Sequence, residues 1–373
     1  MQKQFLPDYW GINIKGTSVW SYFRFNHNRL PTSQYKAQFK LSWNDITYFF
    51  RLLLLRFSKA EVVIFLAARN DLLSLLNSEP FVSKKTVIFL REDGHGVPGN
   101  VFIIEAFRYL FRLLSCVLFY RSFKDLQRQL NLNGLDLNVH NGSIKAAVGD
   151  FYFNKILSFF LKGKVVYFSN CVVPKIERVQ LRSNSIEIQH GVIHDLHPDY
   201  AKIPKEFFKS PLLCWGDFWK RKIINVGFCG TLIVGPVPLI KKPSENYTDS
   251  VCFFTTVNEH ISYKIIDCIK QLGNVNALLQ MHPRDRFDYE ISLDNILTCK
   301  GLSPLEVLWP VMHDSTLAYV CAENKKKFIY LAGDNENTDE IIKRLLEKYN
   351  ASHEDDYYIA YSARELACLI SRL

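Results

Sequence analysis

Residues Lys85–Gly96 read KTVIFLREDGHG: a short apolar run that stops abruptly on two carboxylates and two glycines. An apolar, β-branched run of this length bounded by polar or glycine-containing turns reads as a buried strand. The same pattern recurs on either side of it, upstream in Glu61–Ala67 (EVVIFLA) and downstream in Lys164–Phe168 (KVVYF), Ser185–Ile188 (SIEI) and Leu212–Trp215 (LLCW). Longer segments, among them Asn44–Phe57 and Val101–Phe119, lie between these runs and read as helices. Strands alternating with helices predict an α/β fold with a parallel sheet flanked by helices.

The chain has 373 residues, long for a single core and comfortable for two. Gly235–Asp249 (GPVPLIKKPSENYTD) collects prolines, paired lysines and turn formers, and is the best linker candidate. After it the pattern restarts. Val251–Thr255 and Asn276–Met281 read as strands with a helix over His260–Leu272 between them. Phe328–Leu331 is a further strand, and helices are expected over Thr338–Tyr349 and Ser362–Leu373. Two Rossmann-like domains are therefore predicted, 1–235 and 236–373, with a cleft between them as the natural place for a nucleotide-sugar.

Composition narrows the function. Hydrophobic residues make up 48% and charged residues 22%, which excludes a disordered chain. The nine cysteines are odd in number, widely spaced and form no CxxC pair, so neither a disulfide framework nor a zinc site is expected. Met1–Trp20 lacks the basic start, apolar core and cleavage site of a secretory signal, and the cytoplasm is the expected compartment. The near-span of apolar residues at Val101–Phe119 carries Glu105, Arg108 and Arg112 at helical spacing, too costly for a membrane span. A strongly amphipathic helix packed on the core is the plain reading. Peripheral contact with the inner face of the inner membrane is the alternative. The net charge of +9 suits acidic sugars, sugar nucleotides and anionic lipid. No zinc-finger spacing, RNP-like string or sustained basic helix speaks for nucleic acid.

Four motifs stand at predicted strand ends, where open α/β sheets place ligands. The first is Arg91-Glu92-Asp93-Gly94-His95-Gly96, whose carboxylates can take a proton from an attacking hydroxyl or simply cap the next helix. The second is Gln189-His190-Gly191 with His194-Asp195-Leu196-His197-Pro198-Asp199-Tyr200, three histidines among acids and an amide in a dozen residues. It reads as a polar active-site loop; a metal site competes, but no histidine pair has zinc spacing with a clear third ligand. The third is Gln280-Met281-His282-Pro283-Arg284-Asp285, in which a histidine and an arginine can meet phosphate. The plain alternative is a surface loop. The fourth is Ser303-Pro304-Leu305-Glu306 followed by Asp314-Ser315-Thr316, ahead of Leu317–Ala322 (LAYVCA), which reads as an apolar strand. Its hydroxyls suit phosphate oxygens and Glu306 suits ribose hydroxyls, with two ordinary helix caps as the alternative. The NAD fingerprint GxGxxG and the Walker sequence are both missing.

Taken in order, Glu92-Asp93-Gly94, His282-Pro283 and Ser315-Thr316 resemble the acidic, HP and paired-hydroxyl motifs of bacterial sialyltransferases and polysialyltransferases. Arg91–Gly94 is also similar to a turn of capsule-synthesis transferases that use CMP-Kdo. Ile188–Ile193, His197–Tyr200 and Trp215–Trp219 resemble segments of capsule and O-antigen biosynthesis proteins. The resemblance implies a GT-B fold, a CMP-sugar donor and no essential metal or other cofactor. It implies that Glu92 or Asp93 is the base, and that His282 with Ser315 and Thr316 holds the CMP phosphate; the chemistry of the residues adds Pro283, Arg284 and Glu306 to the expected CMP site. His190 and Asp195 would serve the acceptor side. Some of these relatives are retaining enzymes with an Asp nucleophile, which leaves both courses open.

The expected activity is transfer of Kdo or a sialic-acid-like ulosonic acid to a lipid-linked or polysaccharide acceptor, in capsule or lipopolysaccharide O-antigen synthesis. The rivals are a GT-B transferase using UDP- or GDP-sugars, a CDP-polyol phosphotransferase, and a non-catalytic polysaccharide-assembly protein that binds glycan.

Overall fold

A computed structural model of the chain describes residues 8–24, 43–67, 72, 75–76, 85–91, 102–169, 173, 184–191, 193, 197, 200–236, 249–256, 258–272, 277–282, 296–299 and 302–372. Their contacts divide them into two compact units that change over between Gly235 and Pro236, with the short piece around Leu72 and Leu75 grouped with the second.

The first unit opens with a small hairpin, β1 (Asn13–Ile14) and β2 (Thr17–Ser18). Its sheet holds β3 (Val62–Ala67), β4 (Thr86–Arg91), β5 (Val165–Ser169), β6 (Asn184–Ile188), β7 (Leu212–Trp215) and β8 (Leu232–Gly235). All its pairings are parallel, in the order β4-β3-β5-β6-β7-β8. A parallel sheet is covered on both faces, which is why β3 and β7 are continuous apolar runs with hardly a polar residue. The helices are α1 (Trp43–Leu54), α2 (Phe102–Leu113), α3 (Ser115–Leu118), α4 (Tyr120–Leu132), α5 (Leu137–Phe160) and α6 (Gly216–Asn225).

The segment 101–119, expected as one helix, is broken at Leu114. Ser115 Oγ turns back to donate to the Arg112 carbonyl at 2.8 Å there. Arg108 and Arg112 do share a face, and α5 supplies their partner. Asp150, almost fully buried, takes both Arg112 Nε (2.6 Å) and Arg112 Nη2, lies 3.4 Å from Arg108 Nε, and accepts from Tyr22 Oη at 2.8 Å. Burial disfavours the Arg112 charge, but bonding to Asp150 outweighs it and raises the guanidinium pKa above its ordinary value. Gly149 makes this meeting possible. A Cβ there would stand 2.6 Å from the Arg112 backbone, so the two helices touch main chain to main chain.

The second unit holds β9 (Val251–Phe254), β10 (Ala277–Gln280), β11 (Ile296–Cys299), β12 (Trp309–Met312), β13 (Phe328–Leu331) and β14 (Tyr357–Ala360). Its order is β11-β10-β9-β12-β13-β14, again all parallel. The helices are α7 (Glu259–Gln271), α8 (Leu317–Glu323), α9 (Thr338–Tyr349) and α10 (Ala363–Arg372). Asn258 and Asn337 cap α7 and α9 through their side-chain oxygens, and Asn350 ends α9 in the left-handed conformation. LAYVCA, expected as a strand, is α8. β12 and β13 are parallel neighbours, and the chain needs a crossover to return to the start of the sheet. A short apolar run cannot reveal that demand by its own periodicity.

The α/β class and the two parallel six-stranded sheets agree with the expected GT-B organisation. Among the described residues, no helix is long and apolar enough to cross a membrane.

Candidate active site

In the second unit, β10 lies on one side of β9 and β12 on the other. The carboxyl ends of β9 and β12 therefore flank the topological switch point, where such sheets open a crevice for ligands. Thr255, buried, follows β9, and its Oγ1 accepts the backbone N–H of His282 at 2.8 Å. His282, which follows β10, is thereby fixed beside the end of β9. Next to it, Gln280 accepts from the Leu302 N–H at 3.1 Å and ties down the returning chain.

His313-Asp314-Ser315-Thr316 follow β12. Asp314 takes φ 26°, and its carboxylate is held by Lys348 Nζ at 2.9 and 2.8 Å and by Tyr349 Oη at 3.0 Å. Ser315 Oγ accepts from the Leu317 N–H at 3.3 Å, whereas the Thr316 hydroxyl makes no capping bond to α8. His313 Nδ1 lies 3.0 Å from the Leu331 carbonyl and 3.9 Å from Glu336, which also binds Arg344 and the Gly333 N–H. Burial resists ionisation of Glu336, but the Gly333 N–H and Arg344 hold its pKa below the ordinary carboxylate value.

Glu306 stands elsewhere, before β12 rather than after it. Its carboxylate accepts the Ser303 N–H at 2.7 Å and completes a capping box on the turn Pro304–Glu306.

In the first unit, the Gln189-His190-Gly191 block follows β6. Gln189 is fully buried and spends its amide on the scaffold, accepting from the Trp215 N–H at 3.0 Å and donating to the Gly191 carbonyl at 2.9 Å. His190 is half-buried, and its Nδ1 lies 3.1 Å from Tyr200 Oη. Tyr200, fully buried, donates to Glu187 Oε1 at 2.7 Å, and Glu187 is itself fully buried in β6. The His197 ring packs against Tyr200 at 4.8 Å and meets His190 edge-on at 5.9 Å. The turn carrying these rings is anchored from the amino terminus, where buried Arg24 donates to the carbonyls of Ala201 and Lys202.

Glu92, Asp93, Asp195, Pro283 and Arg284 lie outside the described residues. β4 ends at Arg91 at the edge of the sheet, three strand positions from β6. His282, Ser315 and Thr316 are brought to loops around one switch point. Thr255 and His313 join them there, and neither stood out in the sequence. A lone threonine or histidine after an apolar run has no local signal, although both follow strands and could have been found by asking what succeeds each one.

No protein-family model and no curated protein matches the chain. Among solved structures, TarM matches with a TM-score of 0.33 and 10% identity, over 59% of this chain and 51% of that one. The chain thus spans about half the length of TarM. Os79 from O. sativa, solved with UDP and deoxynivalenol-3-glucoside, matches with a TM-score of 0.31 and 10% identity, over 81% of each chain. Overlap this partial identifies no family.

Proposed function

We propose that the chain is a metal-independent glycosyltransferase of the GT-B type that moves Kdo or a sialic-acid-like ulosonic acid from CMP to a bacterial surface glycan. One observation carries the reading: His282, held by Thr255, and the Ser315-Thr316 pair stand on the loops around the switch point of a parallel sheet. Imidazole and hydroxyl donors are the groups that meet a phosphate, and this place in the sheet is where nucleotides bind. Arg284, two residues beyond His282, adds charge, and Pro283 stiffens the turn. Glu306 is the weakest member of the set, because its carboxylate already serves a cap.

The second unit then takes the donor and the first supplies the chemistry. In a single displacement, the acceptor oxygen bonds to the anomeric carbon while the bond from that carbon to the phosphate oxygen breaks. The electron pair leaves with CMP, and the acceptor proton passes to Glu92 or Asp93. In a double displacement, the Asp195 carboxylate first bonds to the anomeric carbon as CMP leaves; the acceptor oxygen then bonds to that carbon, the Asp195 carboxylate departs, and the acceptor proton passes to Glu92 or Asp93. His190 stands ready on the acceptor side in both.

A lipid-linked acceptor suits the outer helices of the first unit. Phe50, Leu54 and Phe57 are exposed along α1 and the turn after it, at helical spacing. Leu110, Leu113, Leu114, Val117 and Leu118 form a second exposed stripe over α2 and α3. Arg51, Arg56 and Lys59 accompany the first stripe, against a single acid, Asp45, in 43–59. Apolar stripes with basic neighbours fit an anionic bilayer surface.

The test is a thermal-shift panel of CMP, CDP, UDP and GDP, since a ligand of the native state raises its stability. CMP is expected to give the largest shift. His282→Ala is expected to weaken CMP by about 1.5–3 kcal/mol, the cost of a lost contact to a charged group. A preference for UDP or GDP would reassign the donor, no shift with any nucleotide would favour the non-catalytic reading, and unchanged CMP affinity in the variant would remove His282 from the site.

A further inference from the structure

Tyr200 stands between a buried carboxylate and a histidine, with one proton to give. Its Oη is 2.7 Å from Glu187 Oε1 and 3.1 Å from His190 Nδ1. The Tyr200 hydroxyl donates to Glu187, so its one proton is spent there. The tyrosine oxygen then has only lone pairs for the imidazole, and the bond to His190 closes only if Nδ1 carries the hydrogen. We infer that Glu187 and Tyr200 are positioning residues that hold neutral His190 as its Nδ1–H tautomer, making Nε2 the basic nitrogen of the ring.

The setting supports a held geometry. Glu187 and Tyr200 are both fully buried, Glu187 within a central strand and Tyr200 on the turn that Arg24 anchors. His197 packs on the Tyr200 ring and meets His190 edge-on, limiting the room in which either ring could turn. A carboxylate in the middle of a parallel sheet is costly unless it is bonded, and here its bond points along a chain that ends on an imidazole. The logic is that of a carboxylate fixing a histidine tautomer so that the opposite nitrogen can accept a proton, with a tyrosine interposed.

The catalytic meaning of this tautomer rests on the proposed acceptor-side role of His190, but the tautomer itself can be read without donor or acceptor. The experiment is a two-bond nitrogen–proton correlation spectrum of the full-length labelled protein, at a pH where His190 is neutral. The His190 signals are identified by their loss in His190→Gln. The expected result is a protonated Nδ1 and a pyridine-type Nε2, the reverse of the form that histidine favours in water. Tyr200→Phe should shift the ring back toward Nε2–H. If that variant does not fold, Glu187→Gln provides the second reading, because its amide can donate to the tyrosine oxygen and release the tyrosine proton toward His190. An Nε2–H ring in the unsubstituted protein would overturn the inference. So would an Nδ1–H ring that persists in every folded variant, since another group would then be setting it. Neither outcome bears on whether CMP binds, so the donor assignment stands or falls separately.

Discussion

Asp314 adopts φ 26°, a left-handed backbone that few side chains other than Asn and Asp accept readily. What holds it there is its carboxylate, bonded to Lys348 and Tyr349 on α9. Burial pushes the Asp314 pKa up, but the Lys348 ammonium and the Tyr349 hydroxyl outweigh burial and leave it below the usual 3.8. A depressed carboxyl pKa contributes stability above the unfolded-state value and loses it as pH falls through the folded-state value. Asp314→Asn keeps the backbone preference and removes the charge. It is expected to lower stability by about 1–2 kcal/mol at pH 7, the scale of a hydrogen-bonded charge. Urea unfolding at pH 7 and at pH 3 measures this. The gap between the two proteins should narrow at pH 3, which lies below the unfolded-state value, and a gap of equal size at both would show that the charge is not what holds the turn. The sequence marked Asp314 as part of a site but gave no sign of Lys348 or Tyr349, because the Lys348 pairing spans 34 positions and exists only once α9 packs against α8.

At the scale of elements, the helices of the first unit explain both what the sequence revealed and what it concealed. Strands β3, β5 and β7 were legible because burial on both faces favours near-continuous apolar runs. α5 was not. It is 24 residues long, carries Gly142, Gly149 and three asparagines, and packs against α1, α2 and α4, so no single face repeats. The break at Leu114 escaped notice because a serine bonded to a carbonyl three residues back changes the path of the chain without changing its hydrophobicity. The site motifs were legible as strand ends, while the Glu187–Tyr200 bond was not, since Glu187 is disguised as the polar member of the strand SIEI. The exposed stripes on α1, α2 and α3 lead to a measurable expectation. Replacing Phe50, Leu54 and Phe57 by Ser should reduce sedimentation with vesicles containing anionic lipid and leave the melting temperature nearly unchanged, because all three side chains are already exposed. Raised salt should weaken binding of the unsubstituted protein as well, through Arg51 and its neighbours. Vesicle binding that ignores both the substitutions and the salt would remove this face from the acceptor side.

Over the whole chain, two parallel sheets in succession divide the work that the residues suggest. His282, Ser315 and Thr316 are carried by the second unit, and β4, which ends at Arg91, is carried by the first. On the proposed reading, Glu92 and Asp93 act on the acceptor and do not contribute to CMP affinity. An acceptor base is useful whether the sugar moves in one displacement or two, so the prediction does not depend on the stereochemical course. Glu92→Gln and Asp93→Asn preserve shape and remove the charge that takes a proton. At least one of them should slow transfer by a factor on the order of a hundred or more, the usual contribution of a positioned general base. Calorimetry on both variants should return the CMP affinity of the unsubstituted protein. Intact-mass measurement after addition of CMP-Kdo or CMP-sialic acid, without acceptor, separates the two courses. One added sugar mass that Asp195→Asn abolishes marks the double displacement. If both amide variants transfer sugar at the original rate, the acidic turn is not the base, whatever the mass measurement finds. The proton would then have to pass to another group, and the Nε2 nitrogen of His190 is the one whose basicity Glu187 and Tyr200 arrange.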